Sequence, residues 1–530
     1  MALANFFDKA AMAASQVLSG VDHSSFAAAL GAQNIGLAFD DSAADSAEGR
    51  CTLELSINLL ARLYPRVSII PDGVTAEAAV EGLVAATNAI NPDIEIGADA
   101  AGVTLFLAVG SSEIRTSSPV VYAGSDGWVA RVSTKGPVGS GVTDNPFGAC
   151  AAACFAAANI FRLAFGAQLP AGAPDEDLAL SLLDYDPLAA EPANLVLKAV
   201  DLGESYLVGL GAIGNGAVWA LARTPGLSGV LHLVDGEAVE LSNLQRYVLT
   251  SQKSVYGSKV TIAADQFRGT GVDARPHHQR WGDFLRGVSR WHLERIAVAV
   301  DSDGDRMAVQ ASLPRWIVNS WTQPGDLGVS RHGFIGDDAC LMCLYLPEGE
   351  GRHLDRIIAE AIGLPEAFME IRTRLYLNQP VGRSLLERAA AAMGVDLEPL
   401  LRFENESVRS FYTQAVCGGV VLRLGGTLGS ASKHQIAAAV PLAFQSALAG
   451  VMLAAELVIH AGGHRPRPLP VTSKVDLLRP LGSQLSIPAR KHPSARCICQ
   501  DADYISAYCK KYGLNRPGES SSEKYLLERS

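Results

Sequence analysis

The chain has 530 residues, 48% of them hydrophobic and 19% charged, and a net charge of −11. That length calls for two or more domains around a large core, and the composition is that of an ordinary globular α/β protein. The acidic balance and the lack of any long basic run argue against non-specific nucleic-acid binding. No basic N-terminal segment followed by an apolar core is visible, so no secretion signal is expected. Nine cysteines fit a reducing cytoplasm, with metal and catalytic roles in place of disulfides.

Residues 1–50 are Ala-rich, with mixed helical and loop signals. Thr52 to Leu63 predicts an amphipathic helix, and Arg66 to Ile70, Val103 to Val109 and Val120 to Val132 predict strands. Asn145-Pro146 opens an apolar helix, since Asn caps well and Pro suits the first helical position. Cys150 and Cys154 share a face of it, and with no His or acid beside them they read as small core residues. Residues 1–167 thus form an α/β domain with no glycine fingerprint. Residues 168–195, rich in Pro, Ala and acid, read as a linker or covering arm.

The second half opens on Tyr206 to Leu210, a short apolar run suited to a buried strand. Gly209, Gly211 and Gly214 follow in G-x-G-x-x-G spacing, then a helix from Asn215 to Arg223 and a second strand, Val230 to Val234, ending at Asp235. Such a βαβ unit brings a backbone turn close to a nucleotide at a helix N-terminus, and a carboxylate at Asp235 can accept from ribose hydroxyls. By itself the fingerprint also fits NAD enzymes. The next residues, Ser242-Asn243-Leu244-Gln245-Arg246 and Gly257-Ser258-Lys259, tilt the choice. Grouped cations suit a triphosphate that must lose pyrophosphate, whereas hydride transfer does not need them. Ile296 to Val300 predicts a third buried strand, with Asp301 at the ligand-facing end of the sheet. Asp303 and Asp305 read as solvated turn residues, and His277 and His278 as surface loop.

Cys340-Leu-Met-Cys343 and Cys497-Ile-Cys499 are two close pairs of the kind that make a tetrahedral thiolate site for Zn²⁺, with Cys509 as a spare. Leu354 to Phe411 predicts a helical block. Cys417 follows it between small residues, either as an accessible thiol or as a core residue in a strand. Val440 to Ala461 is long and apolar enough to cross a bilayer. Its Gln445, Ser446 and Glu456 favour a buried helix, and no membrane span is expected. The end of the chain, 504–530, reads as a polar tail.

On these residues the chain resembles the ThiF/MoeB/ubiquitin-activating superfamily over about Val196 to Gln500. The family follows its glycine loop with an Asp, an S-N-L-x-R segment, a Gly-x-x-Lys-like segment, and an Asp five residues before an Arg. Here these are Asp235, Ser242 to Arg246, Gly257 to Lys259, and Asp301 with Arg306. Two departures stand out: Tyr247 where the family usually has Gln, and a lysine loop one residue tighter. Within the superfamily the chain is most similar to activating enzymes encoded with bacterial ubiquitin-like proteins in antiphage operons.

The resemblance implies a Rossmann-like adenylation fold split into 196–351 and 426–503, with a helical insertion at 352–425 around Cys417. It implies a degenerate adenylation-like partner at 1–167, which would reach Arg50, Arg62 or Arg66 toward the nucleotide and make the chain a pseudo-dimer, a homodimer remaining open. Gly209, Gly211, Gly214 and Asp235 would place ATP. Asn243, Arg246 and Lys259 would stabilise developing charge, Asp301 would carry Mg²⁺, and the four paired cysteines would hold structural Zn²⁺. The partners would be a ubiquitin-like protein ending in Gly, which passes as a thioester on Cys417 to a conjugating enzyme. Adenylation without a thioester, as in sulfur-carrier activation, and a non-catalytic or NAD-binding module are the competing readings.

Overall fold

A computed structural model describes residues 3–288, 292–323, 325–346, 354–416, 420–424 and 440–515. The first half builds one sheet from β1 (Ile35–Asp40), β2 (Arg66–Asp72), β3 (Glu95–Gly97), β4 (Leu105–Val109), β5 (Val120–Asp126), β6 (Val129–Ser133) and β7 (Asp177–Ser181), in the order β3-β2-β1-β4-β5-β6-β7. The second builds another from β8 (Val200–Val208), β9 (Leu227–Val234), β10 (Gly271–His277), β11 (Arg295–Val298), β12 (Trp316–Thr322), β13 (Leu327–His332), β14 (Thr472–Val475) and β15 (Ser486–Ile487), in the order β10-β9-β8-β11-β12-β13-β14-β15.

The two orders are the same through seven strands. In both sheets the first five strands in the chain run parallel and the sixth and seventh turn antiparallel. Each sheet also places a 20-residue apolar helix between its sixth and seventh strands, Pro146–Phe165 and Ala443–Gly462. The helices meet through Phe161 and Phe444, ring centroids 5.7 Å apart. The chain is therefore two copies of one α/β topology packed on a shared core.

Those helices are apolar enough to cross a membrane by composition, but they are 89% and 94% buried within the protein. Glu456, near the middle of the second, shows why burial is stable. Its carboxylate receives Arg331 and Arg465, both at 2.6 Å, and the two guanidinium groups hold it ionised against the opposing effect of burial. Arg465 also donates to the Leu183 carbonyl at 2.7 Å, which ties the second half to the first.

Two stretches are more ordered than their composition predicts. Residues 168–195 are not a free linker. β7 lies there, and Asp175 accepts from the buried Arg162 and, at 3.1 Å, from Asn159. One of the acidic residues that mark a linker, Asp175, is here the partner of a buried cation. The expected polar tail from 504 begins as a helix, Ala502–Tyr512, whose Tyr508 donates to the Arg315 carbonyl at 3.2 Å and whose Tyr512 donates to Leu313 at 2.9 Å. Its aromatic residues, spaced one turn apart, supply the apolar face.

The helical block is present as Leu354–Ala361, Phe368–Tyr376, Arg383–Met393 and shorter turns up to Val416. It closes on its own core, including Ile358, Ile371, Leu386, Phe403 and Phe411, distinct from the core under the sheets.

Candidate active site

The glycine turn joins β8 to the helix Ala212–Ala222. Gly209 has φ +94, and a Cβ there would lie 2.6 Å from the Ala299 carbonyl; on Gly214 it would lie 2.2 Å from the Gly209 carbonyl. Any larger residue at either point would push the turn apart. Gly211 differs: the nearest atom to a Cβ there is the Tyr247 hydroxyl, at 3.5 Å. The fold needs the first and third glycines, while the middle one leaves open space at the helix N-terminus, where backbone N–H groups favour an anion.

Asp235 closes the turn from β9. Its carboxylate accepts from the Leu210 N–H at 2.7 Å and the Glu237 N–H at 2.8 Å. Burial raises its pKa, partly opposed by Lys259. Lys259 is 6% exposed and donates to Glu237 at 2.6 Å. Burial works against its ammonium, but Tyr247, Asp235 and Glu237 more than offset this and hold the pKa above the ordinary range. Arg246 is half-buried, its guanidinium 5.7 Å from the Tyr247 ring centroid, and the Lys259 ammonium lies 5.3 Å from the same ring. Asp235, Arg246 and Lys259 thus gather with Tyr247 beside the glycine turn.

Asn243 shapes the arginine loop. Its carbonyl oxygen accepts from the Glu240 N–H at 3.0 Å, closing the turn Leu241–Gln245 that presents Arg246. Asp301 is exposed, three residues past the end of β11. Val300, just before it, abuts Gly209, and Arg306 pins the Val300 carbonyl at 2.7 Å. Asp303 pairs with Arg306 at 3.4 Å, and Asp305 bonds the capping Ser302.

Several supporting residues lie outside the sequence motifs. Asn215 donates to the carbonyls of Leu210 and Gly211, both at 2.9 Å, and accepts from Leu249 at 3.2 Å, linking the glycine turn to the arginine loop. From the first half, Asn58 donates to the Val248 carbonyl at 3.0 Å, and Arg62 donates to the carbonyls of Leu244 and, at 2.8 Å, Thr250. Arg62 is the one of the three first-half arginines that engages the second half's arginine loop, and it holds that loop by its backbone. Arg50 donates to Ala44 and Asp45, and Arg66 to Gly31. His277 is not a surface loop residue: it ends β10, bonds His232 at 2.9 Å, and its carbonyl accepts from the Asp235 N–H at 3.2 Å.

Cys340, Cys343, Cys497 and Cys499 converge, buried, with all four sulfurs within 4.8 Å of one another and close pairs at 3.4 to 3.8 Å. A tetrahedral set at zinc–sulfur distances of about 2.3 Å needs sulfurs about 3.8 Å apart, so the set fits. Cys509 lies outside it, its thiol on the Asn515 carbonyl. Cys417 lies outside the described residues. Cys150 and Cys154 are buried core residues, with Cys51 Sγ 3.2 Å from Cys150 Sγ.

The ThiF family model matches residues 196–299, the segment that carries the glycine turn, Asp235, Arg246 and Lys259. The chain belongs to the ThiF superfamily. This superfamily comprises adenylyltransferases that use ATP and Mg²⁺. Residues 38–166 match the model of Prokaryotic E2 family C. The uncharacterized protein y4jF of Sinorhizobium fredii (strain NBRC 101917 / NGR234) is 48% identical over 513 residues, covering 97% of this ThiF-superfamily chain and 98% of its own. A crystal structure of E. coli MccB with ATP is 14% identical over 56% of this chain and 66% of its own, with a TM-score of 0.31. A crystal structure of PaaA is 22% identical over 24% of this chain and 40% of its own, with a TM-score of 0.20.

Proposed function

We propose that this chain activates a ubiquitin-like protein by adenylating its C-terminal carboxylate, in the cytoplasm of a bacterium and in the service of antiphage defence. The observation that carries the reading is the grouping of Asp235, Arg246 and Lys259 at an open glycine turn, in a chain whose ThiF match spans that turn. The turn and the helix N-terminus receive phosphate. Asp235, held by two backbone amides, accepts from the ribose. Arg246 and Lys259 neutralise the charge that builds as the substrate carboxylate attacks the α-phosphorus and pyrophosphate leaves. Lys259 exchanges Glu237 for phosphate as ATP enters. Asp301, exposed past the end of β11, would hold Mg²⁺, which would screen the phosphates. The Cys417 thiolate then attacks the acyl carbon, AMP leaves, and the resulting thioester passes to the cysteine of a conjugating enzyme. The four clustered cysteines hold structural Zn²⁺, with no open position for chemistry. The first half is the degenerate partner of a pseudo-dimer, a role supported by its repeated topology.

ATP–pyrophosphate exchange, measured with and without a small β-grasp protein ending in Gly, tests the first step. Exchange that needs the partner supports adenylation, and no exchange with any such partner rejects it. A reducible adduct lost in Cys417→Ala supports the thioester step. Exchange with no adduct at all returns the sulfur-carrier reading.

A further inference from the structure

Tyr247 stands where the superfamily usually has Gln, and nothing above gives it a part in the chemistry. Three observations define its place. The side chain is 4% exposed, and its hydroxyl is the nearest atom to the space left by Gly211. Its ring lies close to both cations of the site, Arg246 and Lys259. Its backbone is fixed: its N–H donates to the Asn243 carbonyl at 3.0 Å, and its carbonyl accepts from the Thr250 N–H at 3.0 Å and the Thr250 hydroxyl at 2.7 Å. The flanking carbonyls of Leu244, Val248 and Thr250 are held from the first half by Arg62 and Asn58.

We propose that the Tyr247 hydroxyl donates a hydrogen bond to the nucleotide phosphate seated at the glycine turn, while its ring sets the spacing of Arg246 and Lys259. The proposal rests on the adenylation reading and adds a phosphate-binding residue to it. An anion at the N-terminus of Ala212–Ala222 would lie against Gly211, within reach of the phenol. The hydroxyl then contributes a directed donor beside the Arg246 fork and the Lys259 ammonium, of which the second is a point charge with little direction of its own. A Gln in this position offers a donor but no aromatic face, so the ring is this chain's own addition.

The experiment compares ATP and adenosine binding to the full chain by calorimetry, for wild type, Tyr247→Phe and Gly211→Ala, with melting temperature as the control for folding. Tyr247→Phe keeps the ring and removes only the donor. It should weaken ATP binding about tenfold to a hundredfold, the loss expected for one hydrogen bond to a charged group. Adenosine affinity and melting temperature should stay unchanged. Gly211→Ala puts a methyl into the space the hydroxyl lines and should also weaken ATP without moving the melting temperature. If wild type and Tyr247→Phe bind ATP equally, or if Tyr247→Phe loses ATP and adenosine in proportion, the assignment is overturned and adenylation stands. If wild type binds no ATP, the adenylation reading falls first.

Discussion

Asp40 and Gly209 occupy the same register position in the two sheets, each one residue past the last pair joining the first strand to the fourth, Phe39 with Val109 and Val208 with Val298. By the same count Asp72 matches Asp235 and Ser112 matches Asp301. Where the second half leaves a turn open to phosphate, the first inserts a carboxylate. Asp40 accepts from the N–H groups of Ser111 and Ser112, both at 2.7 Å, from the Ser42 hydroxyl at 2.6 Å and from Ala43 at 3.1 Å. By the same count Ala43 matches Ala212, so an amide that a nucleotide phosphate would use is already spent on the protein's own acid. Calorimetry should therefore give one ATP per chain, not two. Asp40→Ala should lower stability by roughly 1–3 kcal/mol through the stranded amides and leave that stoichiometry at one.

Arg62 acts across the boundary between the halves. Removing it strips donors from two buried carbonyls of the arginine loop, a loss of roughly 1–3 kcal/mol. Arg62→Ala should lower the exchange rate several-fold while Arg246 and Lys259 are untouched. Arg62→Lys should restore little, because one ammonium cannot replace a planar fork that spans Asn58, Leu244 and Thr250. A loop-mobility readout, such as hydrogen exchange across 241–250, should rise in both variants.

The four-cysteine cluster predicts metal content. Purified chain should carry one zinc, and Cys340→Ser or Cys497→Ser should lose it. A strong chelator should lower the melting temperature. The helix Ala502–Tyr512 should lose protection first, because it packs beside the cysteines through Tyr508 and Phe334, ring centroids 4.8 Å apart.

His232 and His277 sit 2.9 Å apart under Phe284, with Glu204 3.2 Å from His232. Burial lowers both imidazole pKa values, and Arg275 lowers them further, while Glu204 opposes this at His232. A depressed imidazole pKa stabilises the fold above the ordinary value of about 6.5, and that contribution is lost as pH falls through the lower folded value. The melting temperature should therefore drop as pH falls below about 6.5. His277→Asn should flatten that limb, although Glu204 and Asp273 remain nearby.

What was legible in the sequence was local. The glycine spacing, the carboxylate at Asp235 and the S-N-L-Q-R segment are consecutive, and short-range patterns report them. The long helix was legible as buried because Gln445, Ser446 and Glu456 interrupt its apolar face. Contacts made over long separations were not. Asn58 and Arg62 meet the arginine loop from nearly two hundred residues away, and nothing in their own segment marks them. Asn215 was visible only as a helix residue, since its partners lie on two loops. β7 was hidden in a stretch whose Pro, Ala and acid read as a linker, although one of those acids, Asp175, is the partner of the buried Arg162. His277 read as polar loop because its aromatic neighbours come from another strand and from the helix Trp281–Gly287.

The separate core of the helical block gives it independence. Among the described residues, no buried hydrophobic side chain of that block belongs to the apolar interior beneath the two sheets. A nick or a looser fold between 354 and 416 would therefore leave the nucleotide pocket standing. A lineage can redraw that module without repacking the sheets that carry the glycine turn.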